Sequence, residues 1–336
     1  MQLVSATPIS RRSLLIGSTA AAAATLLISK PAAAQETAYP ERPITFICPW
    51  PAGGTADQSM RAICQLASGV LKQPIAIENR AGAAGMIGAK ALASANPDGY
   101  TIGQIPISVT RFSQLGTLQV DPRKDFTYLA RTSGQTFGIA VLPDSKFKTL
   151  KEMVAYAKAN PGKVSYAHAG VGGATHVGME EFALAAGIQL NAIAYKGGAQ
   201  ALSDTLGGQV DMLADSSSWA PHVESGKLRL LATWGEQRTP RFKDTPTLTE
   251  LGFKVVVDAP NGIGAPKGLE PAVEKKLRDA FRAAVNSADF KAVADKIDAP
   301  VMYLDGPEYQ KYVQVMYERE TQLIQRLKLK ELLQKG

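Results

Sequence analysis

The chain is poor in the residues that carry most enzyme chemistry. It has two cysteines, Cys48 and Cys64, and three histidines, His168, His176 and His222, in 336 residues. His168 and His176 are eight positions apart across a turn, whereas a zinc pair on one helix face needs an H-x-x-x-H spacing. No metal ligand is assigned. Aromatic residues make up 7% of the chain, and no Lys/Arg block is interleaved with them, which argues against nucleic-acid binding. No G-x-S-x-G elbow occurs, so the α/β-hydrolase nucleophile is missing. Gly82-Ala83-Ala84-Gly85-Met86-Ile87-Gly88 reads G-x-x-G-x-x-G, not the G-x-G-x-x-G of a dinucleotide loop. The glycine-rich run Gly170-Val171-Gly172-Gly173 is not followed by Gly-Lys-Ser/Thr, so a nucleotide phosphate loop is excluded. No carboxylate pair stands out as an acid/base couple. The sequence calls for no catalytic residue, no cofactor and no metal.

Long apolar runs are also scarce. The one at Leu14–Ile28 is roughly 15 residues, short of the ~20 a membrane span needs. It follows Ser10-Arg11-Arg12-Ser13 and precedes Lys30-Pro31-Ala32-Ala33-Ala34. A charged n-region, an apolar h-region and an A-x-A end predict an export signal. The twin arginines predict the Tat route, with cleavage near Ala34 and a periplasmic product. Removing residues 1–34 lowers Lys+Arg from 37 to 34 against 30 acidic residues, a mild net charge of about +4. In an exported protein, Cys48 and Cys64 form either a disulfide or two buried thiols. A helix packed on a sheet usually sits too far off for the ~7 Å Cα limit of a bridge.

The remaining 300 or so residues exceed one comfortable core, so two lobes are expected. Short apolar strands alternate with amphipathic helices, the pattern of an α/β protein with mostly parallel sheets. Strands are predicted at 44–48, 74–78, 100–105, 137–142, 164–168, 191–195, 209–214, 228–234, 254–258 and 301–304. Helices are predicted at 56–71, 84–95, 149–159, 174–186, 198–206, 218–225, 270–284, 287–297 and 307–329. Thr149 and Glu152 form a capping box at one start, and Asn160-Pro161-Gly162 closes that helix.

Three glycine turns each follow a strand and open a helix: Ala52-Gly53-Gly54-Thr55, Gly170-Val171-Gly172-Gly173-Ala174-Thr175, and Gly197-Gly198-Ala199. Glycine lets backbone approach a ligand closely. Free N–H groups at a helix N-terminus favour an anion. Open α/β sheets bind ligands at the carboxyl ends of their strands. The three turns are therefore predicted to converge on one anion site in a cleft between lobes.

The chain resembles the Bug family, the substrate-binding proteins of tripartite tricarboxylate transporters. The resemblance runs through Tyr39-Pro40-Glu41-Arg42-Pro43-Ile44, the Pro-x-Pro-Ala-Gly-Gly-Thr-x-Asp junction at Pro49–Asp57, and Glu78-Asn79-Arg80-Ala81-Gly82-Ala83-Ala84-Gly85. It continues through Pro97-Asp98-Gly99-Tyr100-Thr101, Tyr195-Lys196-Gly197-Gly198, Gly207-Gly208-Gln209-Val210-Asp211, Gly226-Lys227-Leu228-Arg229 and Pro246-Thr247-Leu248. It implies a two-lobed periplasmic-binding-protein fold of type II, each lobe a mostly parallel sheet flanked by helices. Residues 35–140 and 260–336 would form one lobe and 141–259 the other. The ligand would be a small mono- or dicarboxylate, aromatic acids included. Partners would be a large and a small integral membrane subunit, with the receptor itself a monomer.

The resemblance also assigns residues. The first turn, with Trp50, Ala52, Gly53, Gly54 and Thr55, and the second, with His168, Gly170, Gly172, Ala174, Thr175 and His176, would hold a carboxylate through backbone N–H groups and water. Asp57 would organise the first turn. Gly198 and Asp215 would edge the pocket. The chain departs from the family at Gln104–Arg111 and at Pro260–Pro266, segments that contact the far end of the ligand in relatives. Ser108 and Asn261 are therefore candidates there, and Arg111 would face a second carboxylate bidentately. Ser216, Ser217 and Trp219 either line the pocket or serve as core and cap. Alternative readings are a periplasmic carboxylate sensor feeding a signalling partner, and a carboxylate-ester hydrolase using His176 beside Thr175 or Asp57.

Overall fold

A computed structural model of the chain describes residues 38–334; the predicted export signal and its cleavage site lie outside them. Two sheets organise the body from Tyr39 onward. The first has six strands in the order β11-β4-β10-β3-β1-β2: β1 Ile44–Cys48, β2 Ile75–Asn79, β3 Thr101–Gln104, β4 Phe126–Ser133, β10 Asn261–Pro266 and β11 Val301–Asp305. The second has five in the order β7-β6-β8-β5-β9: β5 Phe137–Val141, β6 Ser165–His168, β7 Asn191–Ala194, β8 Met212–Ser216 and β9 Arg229–Thr233. The helices are α1 Thr55–Leu71, α2 Met86–Ala93, α3 Ser108–Gln114, α4 Leu150–Ala159, α5 Ala174–Ala186, α6 Gly198–Leu206, α7 Ala220–Glu224, α8 Pro271–Asn286, α9 Ala288–Lys296, α10 Gly306–Arg326 and α11 Leu329–Gln334.

Strand periodicity explains why helices cover both faces of each sheet. On β1, Ile44, Phe46 and Cys48 join Met60, Ile63, Leu277 and Phe281 on one face. Ile47 turns to the other, against Met86, Leu92 and Val109. On β5, Phe137, Ile139 and Val141 enter a core with Met153, Met179 and Phe182, while Ala140 joins Ala201, Trp219 and Leu230.

Both sheets are mixed, not mostly parallel. β1 is parallel to β2 and β3, and β6 to β7 and β8. β10 runs antiparallel to β3 and β4, and β5 antiparallel to β8 and β9. The cause is the chain's passage between sheets. It leaves the first through β4 and enters the second as β5 after residues 134–136; it returns through β10, which therefore runs against β4. The expected boundary at 140 falls inside β5, whereas the sheets change at 134–136 and again between 234 and 260.

β4, β10 and α3 were not expected, and 254–258 is irregular chain outside any ladder. β10 reads NGIGAP, a composition depleted in strands. Its glycines answer to close approach: a Cβ on Gly262 would strike the Tyr309 ring, and one on Gly264 the Ile105 side chain. The predicted last helix is broken at Lys328, which has a φ of 48°. Thr149 Oγ1 caps α4 by accepting from the Glu152 N–H at 3.2 Å, but the Glu152 carboxylate accepts from Lys148 N–H, so the box closes one residue early. Cys48 and Cys64 are buried free thiols.

Candidate functional site

The first glycine turn lies at the carboxyl end of β1. Gly54 is the N-cap of α1 and supplies no side-chain cap, so the first N–H groups of α1 lack an intrahelical acceptor. Gly53 takes a φ of 91°, open to glycine and strained for other residues. Its N–H donates to Asp57 Oδ2 at 2.9 Å. Asp57 is buried and also accepts from Arg61 Nε at 2.8 Å and Asn79 Nδ2 at 2.7 Å. Asn79 Nδ2 further donates to the Trp50 carbonyl at 2.8 Å. Burial alone would raise the Asp57 pKa; the bonds from Arg61, Asn79 and Gly53 outweigh it and hold the carboxyl below its ordinary range.

The second turn is built the same way with different side chains. Gly173 caps α5 without a side-chain bond. The loop ahead of it is held by imidazoles: Gly170 N–H donates to His168 Nδ1 at 3.3 Å, and Gly172 N–H to His176 Nδ1 at 3.0 Å. Thr175 Oγ1 accepts from Ala169 N–H at 3.0 Å. The two rings stack with centroids 4.5 Å apart. Burial lowers the His168 pKa to about 3, with His176 adding to the effect. Burial and then Arg111 lower that of His176 to about 4. Both rings are neutral, and an accepting Nδ1 leaves the proton on Nε2.

The third turn carries Gly198 at the start of α6. The Asp215 carboxyl lies directly against it, where a Cβ on residue 198 would sit. Asp215 is 3% exposed. Burial raises its pKa to about 6, against hydrogen bonds from the Ser218 hydroxyl and Ser216 N–H that lower it.

These turns enclose a cleft with about 710 Å³ of free space, its open mouth included. Of the predicted residues, Trp50, Gly54, Thr55, Ser108, Ala174, Thr175, Gly198 and Asp215 line it. Ala52, Gly53, Asp57, His168, Gly170, Gly172, His176, Arg111 and Asn261 do not. Asp57, His168 and His176 instead hold the two turns in shape.

Arg111 corrects the expectation made for it. Its guanidinium is buried and forks onto Glu320, with Nε to Oε2 at 2.8 Å and Nη2 to Oε1 at 2.7 Å. Nη1 donates to the Gly172 carbonyl at 2.6 Å. The second carboxylate it faces is the protein's own. Of the serine–tryptophan group, Ser216 lines the cleft, Ser217 donates to the Ile297 carbonyl, and Trp219 is core. The hydrolase pairing is not assembled either: His176 Nδ1 takes the Gly172 N–H, Thr175 Oγ1 that of Ala169, and the Asp57 carboxylate is taken by Gly53, Arg61 and Asn79.

Gln104, Gln135 and Phe137 also line the cleft and were not anticipated. The signal for Gln104 is its position at the carboxyl end of β3. Asn261 positions it: the Asn261 Oδ1 accepts from Gln104 Nε2 at 3.1 Å and Gln135 Nε2 at 3.3 Å.

The chain matches the family described as "Tripartite tricarboxylate transporter family receptor" over residues 60–329. A curated relative, the "UPF0065 protein in gbd 5'region" of Cupriavidus necator, is 41% identical over 298 residues, 89% of this chain and 91% of the relative. The periplasmic binding protein BugD superposes with a TM-score of 0.82 at 29% identity, covering 87% of this chain and 99% of that one. A Rhodopseudomonas palustris protein with adipate gives a TM-score of 0.81 at 26% identity, over 86% and 98% of the two chains. MatC of the same organism, with bound malate, gives 0.80 at 26%, over 85% and 100%. The two mixed α/β sheets are the lobes of this periplasmic-binding-protein fold, and the chain belongs to the tripartite tricarboxylate transporter receptors, a family of solute-binding proteins rather than enzymes.

Proposed function

We propose that the chain is a periplasmic receptor that captures a small mono- or dicarboxylate between its lobes and delivers it to the membrane subunits of a tripartite transporter. The observation that carries this reading is the pair of helix N-termini without side-chain caps, α1 from one sheet and α5 from the other, whose first residues Thr55, Ala56, Ala174 and Thr175 line the same cleft. Each presents N–H donors and the positive end of a helix dipole. A carboxylate bridging them has higher affinity for the closed arrangement and draws the lobes together. Closure removes water and strengthens those charge-assisted bonds. The adipate and malate held by two relatives support a carboxylate class. The lobes in this reading divide at 134–136 and between 234 and 260, and a monomer leaves them free to move. The twin-arginine leader supports the location.

The test is thermal unfolding of the chain from residue 35, stripped of ligand, against a carboxylate panel. A ligand at 100 times its Kd adds ~2.7 kcal/mol, a rise of several degrees. One stabilising acid, inactive as its methyl ester, is the expected result. No response from any acid would overturn the reading.

A further inference from the structure

The cleft wall is largely apolar, with Pro51, Pro106, Ile107, Phe137, Ala199 and Pro260 among its residues. Its few polar groups therefore decide what can enter, and two of the lining residues carry acceptor oxygens although the ligand is itself an anion. The first is Gln104, 1% exposed. Its amide orientation follows from a network. Asn261 Nδ2 reaches Ser133 Oγ at 2.9 Å and the Gly134 carbonyl at 3.4 Å. A carbonyl only accepts, so Nδ2 is fixed on that side and Oδ1 on the other. Oδ1 in turn only accepts, so Gln104 must offer it Nε2. Among the described residues Gln104 Oε1 is buried without a partner, an unfavourable state that a ligand donor relieves. The second acceptor is the buried Asp215 carboxyl on the opposite lobe, pressed against Gly198 on the cleft wall. Asp215 already accepts from Ser218 and Ser216; a plain carboxylate adds no donor for it and none for Gln104 Oε1.

We infer that the ligand of this cleft is a carboxylate that also carries a hydrogen-bond donor, the chemistry of hydroxy acids and amino acids, with the donor directed to Gln104 Oε1 and Asp215. This rests on the carboxylate reading and narrows it. An unsubstituted acid of equal length leaves Gln104 Oε1 desolvated and unpaired and offers the Asp215 carboxyl no donor beyond its own Ser218 and Ser216, and sites of this kind discriminate against analogues lacking the donor.

The experiment is calorimetric titration of the ligand-stripped chain with matched sets: propionate, lactate and alanine; succinate, malate and aspartate; adipate, 2-hydroxyadipate and 2-aminoadipate. A donor-bearing member should bind roughly tenfold or more tighter than its unsubstituted partner. A hydroxy-acid preference identifies a hydroxyl at the acceptors, and an amino-acid preference an ammonium. In Gln104→Met and Asp215→Asn the ratio of the two affinities should fall toward one, whatever each variant does to binding of both acids. Equal or tighter binding of the unsubstituted acid in every responding set overturns this inference and leaves the carboxylate receptor standing. Binding by none of the acids, or equal binding by their methyl esters, overturns both. The comparison among ligands uses the unmodified protein, so it stands even if a variant fails to fold.

Discussion

Arg111 and Glu320, 209 residues apart in sequence, form a buried bidentate ion pair whose third arm reaches the carbonyl of Gly172. Both partners belong to helices on the side of the first sheet, α3 and α10; Gly172 belongs to the glycine turn of the second. The pair is thus a strut between lobes that does not touch the cleft.

Removing the arginine leaves Glu320 buried and unpaired, which typically costs 3–5 kcal/mol. Arg111→Ala should therefore lower the denaturation midpoint, and Arg111→Met with Glu320→Leu should recover part of the loss by removing both charges. Because Arg111 does not reach the ligand, any loss of affinity should be the same for a dicarboxylate and a matched monocarboxylate. Chemical denaturation and titration calorimetry check the two parts; a loss selective for the dicarboxylate would return Arg111 to the site.

Much of the frame was legible in the sequence, because an apolar run, a glycine turn and an amphipathic helix are local signals. The turns at Gly53–Gly54 and Gly172–Gly173 are where they were expected because glycine backbone freedom is read one residue at a time. β10 was not legible, since Asn261–Pro266 is a strand by virtue of lying between β3 and β4 under Tyr309, not by propensity. Nor was the role of Arg111, whose partner comes from the far end of the chain. The histidines were noticed for their nearness to a turn expected to hold its ligand through backbone N–H groups; which loop N–H each Nδ1 takes is a tertiary detail that spacing does not carry. Gln104 opened the segment expected at the far end of the ligand but was not singled out, because the network through Asn261 that orients it spans 157 residues.

The histidine pair gives the protein a pH response of definite sign. In the unfolded chain His176 titrates near its ordinary 6.5, and in the folded chain at about 4. Between these values the unfolded state holds more protons, so stability is intact above pH 6.5 and falls as pH drops toward 4. In His176→Asn the side-chain oxygen can still accept the Gly172 N–H without titrating. The variant should lose stability less steeply across that window, by up to about 1.4 kcal/mol per pH unit. Asp215, raised to about 6, contributes a slope of opposite sign, but it is common to both proteins and cancels in the difference. Urea midpoints at pH 7.5, 6.0 and 5.0 measure it; parallel curves would mean that His176 is protonated in the folded state.

Gly172 offers a way to separate lobe closure from ligand contact. It has a φ of 73°, and a Cβ there would come within 2.5 Å of the Phe112 ring on α3. The residue belongs to one lobe and the ring to the other, so under the proposed capture mechanism a parting of the lobes would relieve the clash. Gly172→Ala should therefore cost affinity through the closing equilibrium, since a ligand's apparent affinity scales with the competent fraction. A penalty of about 1.4 kcal/mol on closure is a tenfold loss. The backbone strain adds a separate cost of roughly 1–2 kcal/mol to folding. Small-angle scattering on the ligand-free variant should show a larger radius of gyration than the parent, and saturating ligand should restore the parent value. If affinity falls while the ligand-free dimensions are unchanged, the methyl group acts on the second turn itself, and closure is not what Gly172 protects.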